Sequence, residues 1–286
     1  MMPGLRRRIV VLLLSLVFAP GGAFFPLGLR GAPADRFDQN FLSGKIDAPR
    51  LKVFGGLTPT NYYKLDTLGM HFRIPPTENV LCGIEPRLEM EGDFVMEAGF
   101  RIVELPAPNE GTGSGLSLQV RSVDGERASV ERVHRAKGSD VFVAYRGVKQ
   151  PDDSFRHLVE DVATATKAGK LMLKRTGDEL SFLVAETPDA AFKEIARHKF
   201  ATGRINFVKF QVQTGNTATL VDGAWTDLEL SADHLIPTDG TVLPPKGLQI
   251  PAWLQPLAIG LVLGTVFGAA GCLFVQRRRQ PPAELA

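Results

Sequence analysis

Between residues 37 and 236 apolar side chains recur at every second position, with almost no run at the three-to-four spacing of a helix. Phe94, Met96, Ala98, Phe100 and Ile102 fall on one side of an extended chain, and Val95, Glu97, Gly99 and Arg101 on the other. Leu116, Leu118 and Val120 alternate with Ser117, Gln119 and Arg121. Val141, Val143 and Tyr145 repeat the pattern, as do Val208, Phe210 and Val212. Thr226, Leu228 and Leu230 alternate with Trp225, Asp227 and Glu229. Successive side chains of a strand point to opposite faces, so this period predicts strands with one face buried. Turn signals stand at Asp124-Gly125, Gly177-Asp178, Gly215-Asn216 and Asp222-Gly223. Phe192 to His198 fits either one helical turn or a strand. Many short strands joined by turns, without intervening helices, predict an all-β, two-sheet sandwich.

Two apolar ends bracket this region. Arg6, Arg7 and Arg8 precede the apolar run Ile9 to Ala19, and Gly21, Gly22 and Ala23 follow it. That order is the order of an export signal, which predicts a signal peptide over 1–23. At the other end, Trp253 to Val275 contains no charged residue. A helix of that length crosses about 30 Å of hydrocarbon with some tilt. Arg277, Arg278 and Arg279 follow at once, so the positive-inside rule puts the tail 276–286 in the cytoplasm and the rest outside. Gly260, Gly264 and Gly268 form a smooth stripe along this span, and close self-association there is one reading of it. An apolar span followed by arginines also resembles a bacterial sorting signal. The residues before it are Ile250, Pro251, Ala252 and Trp253 rather than a sorting motif, so a permanent anchor is preferred. The expected organisation is therefore a lead-in over 24–36, a sandwich over 37–236, a proline-rich linker over 237–252, a membrane helix over 253–275 and a short tail. The expected location is a cell membrane, single-pass, with the sandwich outside the cytoplasm.

Charge and cysteine narrow the function. The formal charge is +2, and leaving out Arg6–Arg8, Arg277–Arg279 and Glu284 brings the central region to −3. A mildly acidic domain has no field with which to hold nucleic acid. Arg132, His134, Arg135 and Lys137 form a small basic cluster that reads as a solvated strand edge. Cys272 lies in the span, so Cys82 has no partner in the exported region and reads as a small buried residue. The five histidines lack metal-ligand spacing, and neither a metal nor a cofactor is expected.

A resemblance adds to this. Gly169 to Asp178 reads as a strand ending in a glycine hairpin, Leu180 to Ala185 as its return, and Phe192-Lys193-Glu194-Ile195 follows. With Gly92-Asp93-Phe94 opening a long strand and Thr219 to Leu235 closing the region, the pattern resembles the concanavalin A-like lectin/glucanase superfamily, including its laminin-G type. It is most similar to bacterial envelope domains of unknown function there. The resemblance implies a jelly roll whose concave sheet binds ligand in many relatives.

Two functions compete. The first is a tethered recognition or structural module that binds a glycan or an envelope protein without catalysis. Its candidate ligand-binding residues are Glu97, Arg101 and Trp225. Glu97 and Arg101 stand opposite the apolar Phe94 to Phe100 face, and Trp225 stands opposite Leu228 and Leu230 by the same parity, with core packing as its other reading. The second is a tethered glycoside hydrolase or lyase. The resemblance implies catalytic carboxylates spaced Glu-x-Asp-x-Glu or Glu-x-Asp-x-x-Glu on one concave strand. Glu91, Asp93 and Glu97 share a face but depart from that spacing, so an acidic strand edge is the preferred account.

Overall fold

The computed structural model describes residues 35–55 and 61–238. The expected signal over 1–23, the linker beyond 238, the span over 253–275 with Gly260, Gly264 and Gly268, and the tail lie outside the described residues. Among the described residues no helix is long and apolar enough to cross a membrane.

Fifteen strands follow in chain order: β1 (Asp35–Asn40), β2 (Leu51–Phe54), β3 (Tyr63–Asp66), β4 (Gly69–Ile74), β5 (Leu81–Pro86), β6 (Leu88–Glu104), β7 (Ser114–Ser122), β8 (Arg127–His134), β9 (Asp140–Lys149), β10 (Phe155–Ala163), β11 (Ala168–Thr176), β12 (Glu179–Ala185), β13 (Lys193–Lys199), β14 (Ile205–Gln213) and β15 (Val221–Pro237). A 3-10 turn, Phe41–Ser43, follows β1 and is capped by the Asn40 side chain. The ambiguous Phe192 to His198 segment is strand β13.

All pairings are antiparallel. One sheet runs β10-β9-β8-β7-β14-β5-β2. The other runs β13-β12-β11-β6-β15, with β1 and β4 sharing the far edge of β15 and β3 outside β4. The 17-residue strands β6 and β15 pair along their whole length and form the spine of the second sheet. A single register pair, Met90 with Ile205, joins the two sheets.

The inner faces close on one core. Phe94, Met96, Phe100, Leu171, Leu173 and Leu230 from the spine sheet meet Leu118, Val130, Phe142, Val208 and Phe210 from the seven-stranded sheet. Phe100 meets Phe142 edge to face with ring centroids 6.3 Å apart. Alternation makes this possible, because each strand delivers one apolar row inward.

Three local expectations are corrected. Asp222-Gly223 lies inside β15, where the buried Asp222 carboxylate accepts from Arg73 and sits 2.6 Å from His71 Nε2. On β9 the core-facing row is Phe142 and Ala144, and Val141, Val143 and Tyr145 lie on the opposite face. Arg132 is buried at an end of the sandwich, donating to the carbonyl oxygen of Thr166 and to Asp140, so it does not solvate an edge.

Candidate functional site

Part of the outer face of the seven-stranded sheet is buried, although among the described residues no strand layer lies above it. Ser117, Ser129, Gln211, Val133 and Val143 all point outward there and are each less than 5 % exposed. Val133, Val141 and Val143 form their own apolar cluster with Tyr145, apart from the main core. Burial without a covering sheet is what a face curved around its own side chains would show, and this face is taken as the concave one.

Register sets which groups meet on it. Gln211 pairs with Ser117, Ser117 with Glu131, Glu131 with Val143, and Val143 with Asp161. One step along, Lys209 pairs with Gln119, Gln119 with Ser129, and Ser129 with Tyr145. The side chains are hydrogen-bonded along these rows. Gln211 Nε2 donates to Gln119 Oε1 at 2.7 Å, and Ser117 Oγ lies 3.4 Å from Gln211 Oε1. Ser129 Oγ donates to Glu131 Oε1 at 2.6 Å, and Gln213 Nε2 to Glu131 Oε2 at 3.1 Å. Tyr145 Oη is 2.9 Å from His157 Nδ1, and the two rings stack with centroids 5.7 Å apart. Two gaps interrupt the relief. Gly83 and Gly115 carry φ of +154° and +155°, and a Cβ on either would lie 2.1 Å from the carbonyl oxygen of Phe210 or Arg132. The face is bare backbone at those points.

Glu131 is the chemical centre. Burial pushes its carboxyl above the usual range, against hydrogen bonds from Ser129 and Gln213 and the charge of Arg135. Burial also raises the Tyr145 phenol and lowers the Lys209 ammonium, the latter helped by Lys52 and Arg121. Three groups shifted by burial share this face, so the fold has partly withdrawn its polar chemistry from water. The nearby Asp161 carboxylate is held by both Arg135 Nε and Nη2, at 2.9 and 2.6 Å, and Arg135 also donates to the Thr112 carbonyl oxygen. Among the described residues Glu131 therefore stands without a second uncommitted carboxylate next to it. Among the described residues no group of three or more His, Cys, Asp or Glu side chains is placed to hold a metal ion.

The residues singled out from the sequence lie elsewhere. Glu97 and Arg101 share the outer face of the spine sheet, where Glu97 accepts from Lys170 Nζ at 2.8 Å and stands opposite Glu229. Trp225 does not join them. It is 0 % exposed and packs in the core. A bulge between Trp225 and Asp227 shifts the parity of β15, so Trp225 and Leu228 both point inward. Glu91 and Asp93 are on β6 with Glu97, but Asp93 accepts from the Gly177 N–H and caps the β11–β12 hairpin. At about 3.4 Å per residue, Asp93 and Glu97 are roughly 14 Å apart, too far for the carboxyl pair of a glycosidase.

A second polar cluster sits behind the spine. His71 Nδ1 is 2.9 Å from Asp66 Oδ2, and its Nε2 is 2.6 Å from the buried Asp222. It ties the β3–β4 hairpin to β15.

The fold is similar to that of several solved structures. "Apo Crh5 transglycosylase" matches with a TM-score of 0.51 and 12 % identity, covering 71 % of this chain and 87 % of that one. LamAcat from Zobellia galactanivorans matches at 0.48 and 10 %, covering 68 % and 96 %. The VIP36 exoplasmic/lumenal domain, in its Ca2+/Man3GlcNAc-bound form, matches at 0.43 and 13 %, covering 72 % and 92 %. The likeness to the transglycosylase structure is one of fold, and the fold is the expected concanavalin A-like sandwich. No curated protein matches the chain. Residues 30–245 match the family described as "Protein of unknown function (DUF1583) C domain", and the chain belongs to that family.

Proposed function

We propose that this chain is a membrane-tethered, extracytoplasmic module that binds a glycan on the concave face of its seven-stranded sheet, without cutting it. The observation that carries the reading is the Gln119–Gln211–Ser117 and Ser129–Glu131–Gln213 network on that face. Carboxamides, hydroxyls and a carboxylate, fixed by register and drawn out of water, offer paired donors and acceptors to sugar hydroxyls. Tyr145 and His157 add a stacked ring pair at the edge. Hydrolysis by the usual route needs two carboxyl groups across the scissile bond, and Asp161 is already committed to Arg135. The tether rests on the charge pattern of segments 1–23 and 253–275.

A screen of the detergent-solubilised full chain on a glycan array tests the reading, with Glu131→Gln as the control variant. Binding that falls about tenfold or more in the variant supports it, the scale of a lost charge-assisted hydrogen bond. Retention of no glycan sinks it. The second reading, a tethered glycoside hydrolase or lyase, draws on the raised Glu131 carboxyl, a property suited to a general acid. Release of reducing ends, abolished by Glu131→Gln, would establish that reading instead. Reporter fusions after Ile236 and after Ala286 test the tether, with outside and inside the expected locations.

A further inference from the structure

One end of the concave face is basic in a way that the neutral network does not explain. Arg121 on β7 and Arg127 on β8 are directly opposite in register. Like charges placed so, with Cβ atoms about 5 Å apart, destabilise a sheet unless a counter-charge lies between them. Among the described residues neither arginine forms an ion pair. Each instead stacks on an aromatic ring, Arg121 over Phe207 at 4.7 Å and Arg127 over Phe155 at 4.3 Å to the centroid. A guanidinium held over a ring gains a cation–π contact but no counter-charge.

Arg121, Arg127 and Phe155 line a cavity of about 410 Å³ together with Lys149 and Asp153. Asp153 pairs with Lys149 at 2.8 Å, which leaves both arginine charges uncompensated. One lining residue also carries a buried polar atom without a partner, Arg127 Nε. Buried donors left unpaired cost free energy that an acceptor would recover. Two facing cations without a counter-charge, one of them with an unsatisfied donor, together describe an anion acceptor.

We propose that this basic end takes the anionic substituent of an acidic polysaccharide, a sulfate ester or a uronate carboxylate, whose neighbouring sugars lie along the Gln119–Glu131 face. The proposal rests on the glycan reading of that face and adds the charge of the ligand to it. Planar arginines suit either substituent, since both present two or more acceptor oxygens.

The test uses the detergent-solubilised full chain and two matched pairs of probes. These are dextran with dextran sulfate, and polygalacturonate with its methyl ester. At low salt at least one acidic probe should bind about tenfold or more tighter than its neutral counterpart. The arm that shows the preference names the substituent. Arg127→Gln and Arg121→Gln, made separately so that one unfolded variant does not end the test, should each bring that ratio towards one. Lys64→Gln removes an exposed charge on the other sheet and should leave the ratio unchanged. Equal binding of acidic and neutral probes overturns the proposal and leaves the glycan reading standing. A preference that survives both arginine variants, or that Lys64→Gln lowers as much as they do, overturns it as well. Binding to none of the four probes overturns both.

Discussion

Trp225 and Phe210 meet edge to face across the sandwich, with ring centroids 6.0 Å apart and planes at 82°. One ring comes from the spine strand β15 and the other from the middle of the seven-stranded sheet, so the contact joins the two layers. Both side chains are fully buried. Trp225→Ala should therefore destabilise the fold by about 3–5 kcal/mol, the range for emptying a large aromatic site. The indole Nε1 has no hydrogen-bond partner, so Trp225→Phe should cost clearly less. Urea unfolding of the three proteins checks this. Equal midpoints for Trp225→Ala and wild type would show that the contact holds nothing.

That contact also shows where sequence reasoning stops. Alternation along β6 was fully legible, and Phe94 to Ile102 point inward as expected. The same rule misplaced Trp225, because the bulge at Thr226 inserts a residue and nothing in Ala-Trp-Thr-Asp announces it. The rule also mistook the inner row of β9, because there both faces of the strand are buried and both rows are apolar. Glu131 was not legible at all. Ser129 and Glu131 flank Val130 as polar residues do along any half-buried strand. Their meaning comes from Gln211 and Gln213, more than 80 residues away, which register alone brings alongside.

The β3–β4 hairpin should loosen in acid. Burial works against ionisation of Asp66, but hydrogen bonds from His71, the Leu68 N–H and Lys64 outweigh it and hold its carboxyl at about 2 rather than 3.8. A depressed carboxyl contributes stability that is complete above its unfolded value and is lost as pH falls through the folded one. The window is thus between about pH 4 and pH 2, and the contribution is at most about 2 kcal/mol. Asp66→Asn should lose that increment at pH 7, and its deficit relative to wild type should vanish near pH 2. Denaturant melts at the two pH values measure it. A deficit independent of pH would assign the loss to packing instead.

Cys82 should be inert in the native protein. It is 1 % exposed on β5, and burial pushes its thiol up to about 12. The thiolate is the reactive form, so iodoacetamide at pH 8 should label Cys82 only after denaturation. Rapid native labelling would mean that β5 opens on the time scale of the reaction.

The last expectation concerns Glu131. Its carboxyl is raised in the folded chain by burial, with Asp161 adding to the effect. A raised carboxyl holds its proton more tightly folded than unfolded, so its contribution is complete below the unfolded value and is lost as pH rises through the folded one. Wild-type stability should accordingly decline from about pH 4 upward across that window, starting at the ordinary glutamic acid value. Glu131→Gln cannot ionise and keeps most of the shape, so it should lack that decline and be at least as stable as wild type at pH 7. In the same variant glycan affinity should fall. Stability maintained while binding is lost is the mark of a group kept in place for its ligand rather than for the fold. Denaturant midpoints for the two proteins, taken in steps from pH 4 to pH 8, decide the matter. Parallel curves would mean that Glu131 titrates alike in the folded and unfolded chain, and a variant less stable at neutral pH would make the carboxylate a structural partner of Ser129 and Gln213.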